Sequence, residues 1–184
     1  MKRSEKQWMS LMKKLSLNLS SLIIIILFFI SFSYSDEKNI TKGKAIVVDG
    51  DTIKIKGEQI RFAGIDAPES YYRGKKQTCI EDNKKIFCGQ ISKDKLIEKI
   101  GNNSLNCEIE KNKDRYKRLV GECFIKGESL SVFMVRNGYA FDWPLYSKGK
   151  FANDQQYAKI NKLGFWNMKF EYPWIWKKKV RGKK

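Results

Sequence analysis

The sequence contains no histidine in 184 residues. That absence excludes Ser-His-Asp and Cys-His hydrolysis, along with nuclease chemistry built on a histidine base or a phosphohistidine intermediate. There is also no Cys-x-x-Cys pair, so Cys79, Cys88, Cys107 and Cys123 do not form a zinc-binding pattern. No internal repeat is visible. Acidic residues are few beside basic ones, 20 Asp+Glu against 37 Lys+Arg, for a formal charge of +17. Hydrolytic chemistry in such a chain has to rest on carboxylates, arginine and a metal ion.

The first 35 residues read as a targeting segment. Met1–Lys14 is basic, Leu15–Phe32 is rich in Leu, Ile and Phe, and Ser33-Tyr34-Ser35 supplies small residues before Asp36. This order predicts a secretory signal peptide over 1–35. An uncleaved membrane anchor through 15–32 is the alternative, and both predict export to a periplasmic or extracellular compartment, with inner-membrane anchoring in the second case. Residues 1–35 hold five basic residues and one acidic one, so the remainder keeps 32 against 19, or +13. A basic exported domain favours polyanions such as nucleic acid, acidic glycans or anionic lipid, unless the lysines are simply a solvated surface. An even cysteine count in an oxidising compartment predicts disulfides.

Residues 36–43 read as a polar leader. From Ala45 to Ile65 the pattern is strand throughout: AIVVD and TIKIK around Asp49-Gly50, then QIRFAGI after Lys56-Gly57-Glu58. Glu69–Phe87 reads as a long polar loop, which Cys79–Cys88 could pin. Gly89–Ile100 has helical apolar spacing, and two strands follow, Ser104–Glu110 and Arg118–Ile125. In a hairpin centred on Arg115, opposed positions sum to 230, and Cys107 with Cys123 meets that sum, which selects Cys107–Cys123 and Cys79–Cys88. Helices are predicted over Glu128–Asn137 and Asn153–Leu163. The aromatic and basic tail, 167–184, reads as anchors packing onto the body, with base stacking as the alternative. Five strands with about three helices, one inserted between strands three and four, predict an α+β fold on a five-stranded OB-type β-barrel. A monomer is expected.

Residues 47–69, VVDGDTIKIKGEQIRFAGIDAPE, concentrate the chemistry. Asp51, Asp66 and Glu69 form a costly carboxylate cluster unless a cation sits among them, and Arg61 alone is poor compensation for three. A hard metal ion or a bound phosphate is the physical suggestion. Asp49 and Asp51 could otherwise be ordinary turn formers.

The motifs DGDTI (49–53), RFAGIDAPE (61–69), DRYKRLVG (114–121) and SLSVFMVRNGYA (129–140), in this order over about residues 44–166, resemble the staphylococcal nuclease (thermonuclease) family. The resemblance implies a calcium site from the Asp51 and Asp66 carboxylates and the Ala67 carbonyl. It implies that Arg61 and Arg118 grip the scissile phosphate, that Glu69 acts on the attacking water, and that Arg115 and Tyr116 contact a terminal phosphate. The implied activity is endonucleolytic hydrolysis of DNA and RNA to 3′-phosphate ends. The family usually has glycine where Lys117 stands, so a positive φ there would strain the backbone. A non-catalytic nucleic-acid-binding module and a membrane-surface protein are the competing readings.

Overall fold

A computed structural model of the chain describes Met9 and residues 39–182. The segment expected to be a signal or anchor, Met9 apart, lies outside the described residues. None of the described helices is long and apolar enough to cross a membrane.

Strand β1 (Asn39–Asp49), β2 (Thr52–Ile55) and β3 (Glu58–Phe62) form an antiparallel meander. β3 then runs parallel to β8 (Leu119–Ile125), which pairs antiparallel with β7 (Ser104–Ile109), and β7 returns antiparallel to β1. Five strands thus close into a barrel without exposed edges. Alternation drives the arrangement: Leu105, Cys107 and Ile109 of β7, and Gly121, Cys123 and Ile125 of β8, point inward and are buried. Ile53, Ile55, Ile60 and Phe62 complete the interior, each removing about 1.5–3 kcal/mol of exposed apolar surface from water. Cys107 lies directly opposite Cys123, and the two are bonded inside the barrel, as the hairpin register predicts.

Helix α1 (Cys88–Ile100) caps the barrel through Leu96 and Ile100. Helix α2 (Leu130–Arg136) begins where the Ser129 hydroxyl accepts from Val132 N–H. A short α3 (Pro144–Ser147) and α4 (Ala152–Ile160) follow. Three features differ from expectation. β1 begins at Asn39, inside the segment read as a polar leader, because Asn39–Lys44 pair residue by residue with Ile109–Ser104. The expected loop at 69–87 contains a hairpin, β5 (Cys79–Glu81) and β6 (Lys84–Ile86), with the second disulfide, Cys79–Cys88, at its base. The tail carries a helix, α5 (Pro173–Gly182). Its approach is held by aromatic packing, with Phe170 stacked on Phe141 at 4.7 Å and Tyr172 stacked on Trp174 at 4.6 Å between ring centres.

Several turns place lysine in the left-handed region. Lys56, Lys117, Lys126, Lys148 and Lys162 have φ between 49° and 62°, and all five are exposed. Lys56-Gly57 and Lys126-Gly127, each with both φ positive, are the two-residue turns that suit twisted hairpins.

Candidate active site

Asp51 sits in the turn between β1 and β2, just past an irregularity in β1 at Val47–Asp49 that re-aims the end of the strand. Across the β2–β3 ladder Thr52 faces Arg61, and Phe62 N–H donates to the Asp51 carbonyl at 2.8 Å. Arg61 therefore reaches Asp51 from the neighbouring strand. Its Nη1 lies 2.7 Å from Asp51 Oδ2, and its Nη2 lies 2.7 Å from Asp66 Oδ1 and 3.1 Å from the Ile65 carbonyl oxygen. Asp66 belongs to β4 (Ile65–Asp66), fixed by pairing with β9 (Phe141–Asp142). Ala67 N–H donates to Asp51 Oδ2 at 3.0 Å and the Thr52 hydroxyl to Oδ1 at 2.8 Å.

Two glycines permit the close packing around this cluster. A Cβ at Gly50 would fall 1.9 Å from the Ser92 hydroxyl of α1, and one at Gly89 would fall 2.0 Å from the Glu69 carbonyl oxygen. Helix α1 therefore lies directly against the backbone that carries Glu69. Disulfide-bonded Cys88 adjoins that contact.

The second cation of the site is Lys177 of α5. Its Nζ lies 2.8 Å from Asp66 Oδ1 and 2.8 Å from Glu69 Oε1, with the side chain 12% exposed. Arg61 and Lys177 thus stand among the Asp51, Asp66 and Glu69 carboxylates. Trp143, whose ring lies 6.0 Å from the Arg61 guanidinium, stacks on Trp174 at 5.8 Å.

Burial works against ionisation of Asp51, but the charges of Arg61 and Lys177 and the Ala67 N–H outweigh it and hold the carboxyl at about 2. Burial likewise opposes the Arg61 charge, and Asp51 and Asp66 more than restore it. For Asp66 and Glu69 burial prevails and raises both above the ordinary carboxylate range, against the pull of Lys177.

Asp49 is pushed up to about 8, first by burial and then by the charges of Asp51 and Glu69. The Ser70 and Gly50 N–H groups, which it accepts, only partly offset these effects. Its ordinary value is 3.8, so the folded protein prefers the protonated form. Metal-free stability should therefore fall as pH rises from about 4 to about 8 and flatten above that. Asp49→Asn keeps a neutral acceptor and removes this penalty. It is expected to raise stability at pH 9 in chelator by on the order of 2 kcal/mol, with little change at pH 4. Thermal melts at the two pH values check this, and equal shifts at both would refute it.

Of the residues singled out in the sequence, Asp51, Arg61, Asp66, Ala67 and Glu69 come together. Arg118, Arg115 and Tyr116 lie at the β7–β8 turn, where Arg118 directly precedes the strand that runs parallel to β3, Arg61 facing Val120. Arg118 Nε and Nη2 lie 2.8 Å and 2.7 Å from Asp114 Oδ2, and both Arg118 and Arg115 stand over the Tyr116 ring. Lys117 has φ 62°, so the strained conformation is present, closed by its N–H to the Asp114 carbonyl at 2.9 Å. Lys177 was not recognisable in the sequence among the tail's run of basic residues.

Comparison with known proteins identifies relatives of the chain. The chain is 35% identical over 133 residues to the "Succinoglycan biosynthesis protein ExoI" of Rhizobium meliloti (strain 1021), covering 71% of this chain and 66% of that protein. It is 30% identical over 161 residues to "Endonuclease YhcR" of Bacillus subtilis (strain 168), covering 74% and 12% respectively. It is 27% identical over 161 residues to "Staphylococcal-like nuclease CAN1" of Arabidopsis thaliana, covering 80% and 45%. The chain thus spans less than two thirds of each of these relatives. The matched family segment, residues 59–168, holds Arg61, Asp66, Ala67, Glu69, Arg115, Tyr116 and Arg118, while Asp51 precedes it and Lys177 follows it. That segment is more than half of the sequence, and the chain belongs to the family described as staphylococcal nuclease homologue.

Proposed function

We propose that this chain is an exported, calcium-dependent nuclease that hydrolyses phosphodiester bonds of DNA and RNA and leaves 3′-phosphate ends. The observation that carries the reading is the buried Asp51–Arg61–Asp66 arrangement with Glu69 beside it, in a chain of this family. A protein that only bound nucleic acid would gain nothing from carboxylates gathered at a basic surface.

The donor chemistry suits a hard cation. The available ligands are carboxylate and carbonyl oxygens, and Asp66 Oδ2 is buried without a hydrogen-bond partner. As the side chains stand, no group of three or more His, Cys, Asp or Glu among the described residues is gathered closely enough to hold an ion. Arg61 and Lys177 both engage the other Asp66 oxygen, Oδ1. Calcium held by Asp51, Asp66 and the Ala67 carbonyl would supply positive charge to the phosphoryl oxygens as negative charge develops on them. Arg61, with a rigid donor fork, would bind those oxygens and orient the phosphorus. Glu69, its carboxyl raised by burial, would take the proton of the attacking water as the new oxygen–phosphorus bond forms and the bond to the 5′ oxygen breaks, the departing oxygen taking a proton from solvent. Arg118, held by Asp114 through its Nε and Nη2, would be the second arginine on the phosphoryl oxygens. The two disulfides support an oxidising compartment.

The full chain incubated with single-stranded DNA and calcium is expected to yield shortened strands bearing 3′-phosphate, and no cleavage once chelator is added. DNA retained intact by the protein in calcium would instead favour the non-catalytic binding module.

A further inference from the structure

Lys177 lies beyond the C-terminal end of the matched family segment, as Asp51 lies before its start. We propose that its ammonium is a tethered competitor for the cation position, so that loading a divalent ion requires Lys177 to withdraw. On this view α5 sets the ion concentration at which the site becomes active. The inference rests on the metal-dependent reading above.

The geometry supports competition in three ways. A lysine ammonium is a compact charge with three donors and no acceptor, and here it bridges Asp66 Oδ1 and Glu69 Oε1 at 2.8 Å each. One of those oxygens belongs to an expected ion ligand and the other to the expected water-directing group. In addition, the position is imposed by the fold. Lys178 and Lys179 on the same helix are exposed, whereas Lys177 is turned inward. The helix is held from several directions. Trp176 packs on Tyr72 at 6.3 Å and Trp174 stacks on Trp143. The Gln77 side-chain amide donates to the Glu171 carbonyl at 2.8 Å, and Ile80 and Lys169 exchange two backbone hydrogen bonds.

The third support is charge. An ammonium and a divalent ion on the same carboxylates repel one another. Because the ammonium is tethered, dilution does not weaken its claim on the site. With Lys177 docked, two cations face three carboxylates. With Lys177 withdrawn, Arg61 alone remains and the oxygens are left for an ion. Release of Glu69 Oε1 in the same movement would couple ion loading to freeing the water-directing group.

Calorimetric titration of the metal-free full chain with calcium chloride tests this. Lys177→Met is expected to bind calcium at least about tenfold more tightly than the wild type, and Lys178→Met, which removes the same charge from the exposed face, is expected to bind as the wild type does. Trp176→Ala keeps every charge and loosens the helix, so it should also tighten binding, and it provides the readout if Lys177→Met does not fold. Calcium binding by Lys177→Met and Trp176→Ala no tighter than wild type would overturn the inference. If the wild type still cleaves DNA in calcium under that outcome, the nuclease reading survives. If wild type and variants neither bind calcium nor cleave, both readings fall.

Discussion

Arg61→Met should lose about 3–5 kcal/mol of stability, because it leaves two buried carboxylates without the guanidinium that joins them. In a domain of this size that corresponds to a fall of roughly 10 °C in melting temperature. Asp51 and Asp66 are 3% and 0% exposed, so water cannot replace the lost donors. Asp66 already has one oxygen without a partner, and Lys177 can approach only its other one. The methionine roughly fills the arginine stem, which confines the effect to the missing charge. Thermal melts in chelator are the measurement. A melting temperature within 2 °C of wild type would show that the carboxylates are hydrated or protonated at no cost, contrary to the burial described here.

Glu69→Gln should reduce kcat by about 10²–10⁴-fold while leaving KM for DNA nearly unchanged. The amide keeps the shape of the side chain and can still accept from Lys177, but it cannot take a proton from water. Arg61, Asp51 and Asp66 are untouched, so substrate binding should persist. Steady-state cleavage of a labelled strand in calcium separates the two constants. A variant within threefold of wild-type kcat would remove Glu69 from the proton transfer and leave orientation of water as its most it could do.

The parts of the fold written in short, locally consistent patterns were readable from the chain. The five barrel strands follow from period-two alternation and from turn pairs such as Lys56-Gly57. The Cys107–Cys123 bridge follows from hairpin arithmetic, because no bulge intervenes between β7 and β8. The association of Asp51, Arg61, Asp66 and Glu69 was legible for a related reason: all four lie within nineteen residues at the ends of consecutive strands. Lys177 was not legible. It stands 111 positions from Asp66, in a tail whose basic residues all look alike, and only the helical phase fixed by Trp174 and Trp176 selects it. The engagement of Arg118 was half legible, since Asp114 lies four residues before it, but nothing in the spacing says which partner the guanidinium prefers. The start of β1 was missed because its outer half earns its place by backbone pairing with β7 instead of apolar side chains.

The left-handed lysines have a kinetic consequence. A side-chain-bearing residue in that region is disfavoured by roughly 1–2 kcal/mol compared with glycine, so those five positions are points of backbone strain. All five are also exposed, so each carries an ammonium on a long flexible stem into solvent. If the chain acts on nucleic acid as proposed, these exposed charges are available to an approaching polyanion. On that reading the first encounter is expected to be a diffuse, salt-sensitive capture at the turns, with alignment of a strand on the carboxylate cluster following as a slower search over the surface.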